Sequence, residues 1–290
     1  MLYITSYCSK KKSIIEAVQD FVQFGFTNIE LTGGTDYNNY SEAKLLEFRS
    51  KYNLNFLIHN YFPPQKKDFV LNLASNDDQI HRYTLSLIEE AVTLSRKFNQ
   101  NIYSLHAGYA NDLTPEKGKD GLFLTKNSSH NSENRFYETL EYIADYFIPK
   151  GFKLAIENAF PTYRGQCLSF LSSDEDIFEF LDFVEHYPDI CLLLDFGHLN
   201  VASYYHGFNK YIFLEKIVAD YHEKIFELHV SQNTGKKDSH QLGSVDSFEI
   251  NFIRDHFSVF KDIPIVLEWH QDLSVYAFEE YTRISDYLGL

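Results

Sequence analysis

A chain of 290 residues with 44% hydrophobic and 17% aromatic content is long enough for one large α/β domain with a full core. Its formal net charge of −15 sets a field that repels phosphate polymers, which weighs against general nucleic-acid binding and leaves room only for a local basic patch. No apolar run approaches the roughly 18 residues of a membrane span, and Cys8, Cys167 and Cys191 lack paired spacing, which points to a reducing, cytoplasmic setting.

The N-terminus opens on a short apolar run followed by Lys10, Lys11 and Lys12, the reverse of the order in a secretory leader. From there, strand-like runs recur at residues 2–7, 28–31, 55–59, 101–106, 153–157, 190–195, 225–230 and 263–268. The segments between them carry helical apolar spacing, as in Ile80, Leu87, Ile88, Ala91 and Leu94, or Phe178, Leu181 and Val184. Asn76-Asp77-Asp78 and Ser172-Ser173-Asp174-Glu175 read as helix starts, with acidic groups at the positive end of the dipole. Alternating short strands and helices build parallel βαβ units. Eight such units in this length predict a closed (β/α)8 TIM barrel, a single domain over residues 1–290.

Two loops stand out. Residues 109–131 form the longest stretch without regular patterning, rich in Gly, Asn, Asp, Lys and Ser, and are expected to act as a lid. Residues 160–172 carry Arg164, a candidate grip for an anionic substrate group.

Polar residues of a restricted kind end the apolar runs. They are His59, His106, Glu157, Asp195 with His198, His229, and Glu268, joined by Asp238 and His240 in a loop. Each alone has an ordinary reading: a strand-end His bonded to a carbonyl, a helix-capping Asp, a polar loop. Together they put only His, Asp and Glu at the C-terminal rim, where a TIM barrel collects its active site. A thiolate-free set of this kind suits Zn, Mn, Fe or Co. His81, His130, His186, His206, His222 and His256 fall away from the rim, while His270 lies two residues past Glu268 and within reach of a substrate.

The pattern resembles the endonuclease IV / xylose isomerase-like TIM-barrel superfamily. The resemblance rests on His59 through Gly108 with its Leu-Asn-Leu-Ala-Ser-Asn-Asp segment (71–77), on Ile-Glu157-Asn, on Asp195-Phe-Gly-His198, on His229-Val-Ser-Gln-Asn with Asp238-Ser-His240, and on Leu-Glu268. It implies up to three ions. One would take His59, His106 and Glu157; one Glu157, Asp195, His229 and Glu268; one His198, Asp238 and His240. The sugar isomerase and epimerase branch uses only the middle set around one divalent ion, with Glu157 and Glu268 doubling as acid and base.

Asn-Ile-Glu30-Leu-Thr-Gly-Gly resembles that sugar branch, and residues 33–40 hold no Arg or Lys where a DNA-cleaving relative is expected to be basic. Lys66 with Lys67, and Lys236 with Lys237, are the basic pairs near the rim. Two pairs suit one or two phosphates on a small substrate better than a duplex backbone, and Lys236 and Lys237 are the candidates for substrate binding. The expectation is a metal-dependent isomerase or epimerase of a sugar or sugar phosphate, holding one to three ions, with phosphoester hydrolysis as the rival. Its partner is a small carbohydrate rather than nucleic acid or membrane.

Overall fold

Eight strands run parallel in one sheet of the computed structural model, which describes residues 1–115, 122–128, 131–161 and 169–290. In chain order the strands are β1 (Leu2–Thr5), β2 (Asn28–Leu31), β3 (Asn55–Ile58), β4 (Ile102–His106), β5 (Asn111–Pro115), β6 (Leu122–Ser128), β7 (Lys153–Glu157), β8 (Ile190–Asp195), β9 (Ile225–Val230) and β10 (Ile265–Leu267). The sheet order is β3-β2-β1-β10-β9-β8-β7-β4. It closes where His59 bridges to Ser104 in parallel and the Asn60 amide donates to the Ser104 carbonyl at 2.8 Å. The chain is a single-domain TIM barrel, with helices between successive barrel strands.

Alternation of side chains along each strand sorts the core into two parts. Tyr3, Leu57, Ile102, Ala155, Cys191, Leu193 and Val266 form a small apolar cluster apart from the main core. Their register with the inward-facing rim residues two positions on marks this cluster as the barrel interior. The much larger cluster lies between the sheet and the helices that wrap it. The helix Asp78–Lys97 shows the logic: it buries Leu87, Ile88, Ala91 and Leu94 on one face. Each such aliphatic side chain contributes roughly 1.5–3 kcal/mol when fully removed from water. Asp77 caps this helix, accepting from the amides of Gln79 and Ile80, and Ser173 caps the helix Asp174–Val184.

The stretch 109–131 differs from the irregular loop its composition suggests. Strands β5 and β6 pair antiparallel within it, and residues 116–121 and 129–130 lie outside the described residues. Its base is anchored through Asn72. The Asn72 side-chain oxygen accepts from the amides of Ala74 and Tyr109 at 3.0 Å each, and its nitrogen donates to Asp112 at 3.3 Å. Ser75 also donates to Asp112, at 2.6 Å.

Gly108 makes this junction possible. Its φ of +100° is one that side-chain-bearing residues rarely adopt, and a Cβ there would sit 2.5 Å from the Asn72 oxygen and 2.8 Å from its Cα. Gly151, at φ +82°, has open space around the same position. Gly151→Ala therefore carries only conformational strain, about 1–2 kcal/mol. Gly108→Ala adds a backbone clash and should cost at least about 1 kcal/mol more. Urea midpoints of the two variants, measured side by side, check the difference; equal losses would mean that the junction yields.

Candidate metal centre

Parallel strands bring all their C-terminal ends to one rim, so side chains far apart in sequence become neighbours. Register sets the closest pairs: His106 lies opposite Glu157, and Asp195 opposite His229. Glu268 follows β10 directly, its amide donating to the Val230 carbonyl at 3.0 Å, which extends the ladder by one residue.

The three ligand sets inferred from sequence each converge. His59, His106 and Glu157 form one group; Glu157, Asp195, His229 and Glu268 a second; His198, Asp238 and His240 a third, each with donor atoms within 4.8 Å of one another. Glu157 joins them. Its Oε2 lies 3.4 Å from His59 Nε2 and 3.0 Å from His106 Nε2, while its Oε1 lies 3.1 Å from His198 Nδ1 and 3.9 Å from His229 Nδ1. Glu268 Oε2 lies 3.4 Å from His229 Nδ1, and Asp238 Oδ2 sits 3.5 Å from His198 Nε2 and 2.5 Å from His240 Nε2.

The far nitrogen of each imidazole is held by the protein. His59 Nδ1 meets Ser104 Oγ at 3.1 Å, His106 Nδ1 meets the Asn60 amide at 3.3 Å, and His229 Nε2 meets Glu30 Oε1 at 2.9 Å. His198 and His240 donate from Nδ1 to the carbonyls of Asn158 and Glu268, at 2.8 and 3.1 Å. Such bonds set the tautomer and aim the other nitrogen, as metal-binding histidines require. Asp195 divides its labour: Oδ1 accepts from the His198 amide as the helix cap, while Oδ2 has no hydrogen-bond partner. Asp195 thus caps the helix with one oxygen and turns the other into the central group.

Buried polar atoms nearly always find a hydrogen-bond partner. Here Glu157 Oε1 and Oε2, Asp195 Oδ2, His229 Nδ1, Asp238 Oδ1 and Glu268 Oε2 are buried without one. They belong to residues of the convergent groups, and all are oxygen or imidazole nitrogen. Ligand bonds of about 2.0–2.2 Å separate two donors on one ion by up to about 4 Å, so small shifts would close each group on a cation. The residues fit divalent transition-metal ions.

Electrostatics follow from packing so much charge together. Burial pushes the carboxyls of Glu30 and Asp195 up to about 8 and about 7, and pushes His59 down to about 3. Burial acts against the charged forms of Glu157 and Glu268 too, but the imidazoles around them prevail and hold both well below the usual carboxylate range. At His240 burial is likewise outweighed, by Glu268 and Asp238, which lift it to about 11.

Above this floor opens a cleft of about 340 Å³, walled by Tyr7, Tyr61, Tyr109 and Phe160. His270 lines it, stacked on His240 at 3.7 Å and on Tyr7 at 4.1 Å. Glu268 reaches the cleft; Glu157 is wholly buried beneath it. Lys236 and Lys237 are not brought to the cleft: the Lys236 ammonium lies over the Tyr204 ring, 5.8 Å from its centre, because the loop folds back on the helix Phe196–His206. Arg164 lies outside the described residues. Sequence reasoning missed Glu30 and Glu227 as partners of His229 Nε2, at 2.9 and 3.6 Å. Glu227 could have been found, since it lies two residues before His229 and so on the same strand face.

Residues 18–280 match the model of the xylose isomerase-like TIM-barrel family. An uncharacterized protein of Methanocaldococcus jannaschii is 24% identical over 252 residues, which cover 86% of this chain and 76% of that protein. Among solved structures, a D-tagatose 3-epimerase-like protein superposes with a TM-score of 0.70 at 21% identity, covering 99% of this chain and 97% of its own. An AP endonuclease, family 2, from Brucella melitensis does so with a TM-score of 0.65 at 13% identity, covering 99% and 98%. Among the described residues no helix is long and apolar enough to cross a membrane.

When divalent metal is added to the protein, Asp195→Ala or His229→Ala should abolish its retention by the central group, each removing one of the four donors grouped there. Glu30→Ala removes no donor of that group but frees the His229 ring, and should weaken metal binding about 10–100-fold. Glu30→Gln, which keeps an oxygen for His229, should weaken it less. Metal content after dialysis against graded chelator checks the order; a Glu30→Ala protein that holds metal like the wild type would remove Glu30 from the site.

Proposed function

Since this chain belongs to the xylose isomerase-like TIM-barrel family, we propose that it is a divalent-metal-dependent isomerase or epimerase of a sugar or sugar phosphate, working by proton transfer beside a carbonyl. The observation that carries this reading is the quartet Glu157, Asp195, His229 and Glu268 set under a cleft sized for a small molecule. The likeness to a D-tagatose 3-epimerase-like protein supports it. So does the aromatic wall, since Tyr faces suit the apolar faces of sugar rings.

The residues that would hold metal are His59, His106, Glu157, Asp195, His198, His229, Asp238, His240 and Glu268, for one to three ions. A divalent cation there supplies charge that polarises the carbonyl and makes the neighbouring C–H acidic. Glu268 turns Oε2 towards His229 and His240, leaving Oε1 to take the substrate proton and return it. Glu157 acts from below, fixing the imidazoles and offering the second carboxylate. Phe160, packed on His198 at 4.9 Å, and the stacked Tyr7 and His270 keep water from the reacting carbon. The buried thiols of Cys8 and Cys191 accord with a cytoplasmic setting.

A second reading, phosphoester hydrolysis, is favoured by a specific observation. The outer groups around His59 and His198 accompany the central one, and Glu157 points one oxygen to each side. The likeness to an AP endonuclease, family 2, supports it as well.

Incubation of metal-loaded protein with candidate sugars and sugar phosphates in deuterated water separates the two. Label on the carbon beside the carbonyl, lost in Glu268→Gln with metal content largely kept, is the expected result. Glu157→Gln should lose label and metal together, because its carboxylate serves two groups. Release of phosphate without label, or efficient incision of an abasic oligonucleotide, would instead establish the hydrolase.

A further inference from the structure

A second cavity, of about 280 Å³, adjoins the cleft and shares Tyr7, Gly33 and Gly34 with it. Lys10, Lys11 and Lys12 line it, in a chain whose acidic residues outnumber its basic ones by 41 to 26. No carboxylate belongs to its lining. Lys10 reaches Asp272 at 3.7 Å, a pair so exposed that it binds weakly. Among the described residues, Lys11 and Lys12 have no such partner.

The walls are built rather than loose. The Thr32 amide donates to Ser6 Oγ at 2.9 Å, and the Asp36 amide to the Lys12 carbonyl at 2.8 Å, pinning the loop after β1 to the loop after β2. Thr35 Oγ1, on a lining residue, is buried without a hydrogen-bond partner. A column of rings joins the cavity to the candidate metal centre: His240 stacks on His270, His270 on Tyr7, and the Lys10 ammonium lies 5.7 Å from the centre of the Tyr7 ring.

We propose that this cavity is the anion subsite of the cleft. It takes the terminal phosphate of a small sugar phosphate whose carbonyl end lies over Glu268. Three lysines on the lining and an unpartnered hydroxyl supply donors for a dianion with three acceptor oxygens, which a neutral sugar would leave unanswered. Lys10–Lys12 thereby take the role that sequence reasoning gave to Lys236 and Lys237. The inference rests on the carbohydrate reading above and selects the phosphorylated substrates within it.

The test is binding to the metal-loaded protein, read by calorimetry without turnover, with D-fructose, D-fructose 6-phosphate and D-glucuronate as probes. The phosphate should bind at least about tenfold tighter than the neutral sugar, as a charge-assisted contact requires. Lys11→Ala/Lys12→Ala, at exposed positions that leave the core untouched, should erase most of that preference while keeping the wild-type melting temperature and affinity for D-fructose. Absence of sugar-phosphate binding, equal affinity for phosphate and neutral sugar, a preference that survives the double substitution, or D-glucuronate bound as tightly as the phosphate would each overturn the proposal. A missing solvent label sinks the reaction assigned above without touching this binding result, so the two failures are distinguishable.

Discussion

A fully buried carboxylate keeps its charge only if its surroundings neutralise it, and at Glu157 four imidazoles converge on one such group. Breaking a buried ion pair typically costs about 3–5 kcal/mol, because the surviving charge has no water to turn to. Glu30, Asp195, Glu227 and Glu268 are buried around the same histidines, so the constraint is collective. Imidazole protons or divalent cations can balance such a set, and a histidine that ligates must give up its proton to do so. Metal binding at this rim would therefore exchange protons for cations within a framework whose far nitrogens are already tied to Ser104, Asn60, Asn158, Glu30 and the Glu268 carbonyl.

The barrel makes this density tolerable by layering. Small and medium apolar side chains such as Ala155, Cys191 and Leu193 fill the interior below. Two residues on along β7 and β8 come Glu157 and Asp195, on the same inward face. On these two strands the polar layer thus rests directly on buried apolar side chains. Rigidity beneath and hydrogen bonds behind fix the donor atoms in position, which a metal site needs more than it needs any one strong contact.

Much of this was legible in the chain. Strand ends marked by His59, His106, Glu157, Asp195, His229 and Glu268 stand out because an apolar run stops at or beside an ionisable residue, and the eight apolar runs, alternating with helical segments, specify the barrel. The bond from Glu30 to His229 was not legible: β2 and β9 are separated in the sheet by β1 and β10, so the contact exists only once the barrel curves the rim inward. The hairpin of β5 and β6 hid for another reason, since its polar composition resembles that of a loop. Lys236 and Lys237 misled because nearness to Asp238 in sequence says nothing about direction, and the chain turns that ammonium over Tyr204.

Under the proton-transfer reading, the two glutamates cannot be interchangeable. Inverting one carbon needs a base on one face of the substrate and an acid on the other, whereas moving a carbonyl to the next carbon needs only one group that takes and returns a proton on a single face. Glu268 stands in the cleft wall, and Glu157 lies beneath the floor with both oxygens turned to imidazoles. A carboxylate that does not reach the cleft is a poorly placed base, because a substrate proton has no direct path to it. One-faced transfer through Glu268 uses the groups as they stand. Two-faced inversion requires Glu157 to free an oxygen, or His270, stacked beside Glu268 and held neutral by burial that lowers it to about 4, to serve from the cleft. Whether product differs from substrate at one carbon or in the position of its carbonyl thus reports which carboxylate touches the sugar.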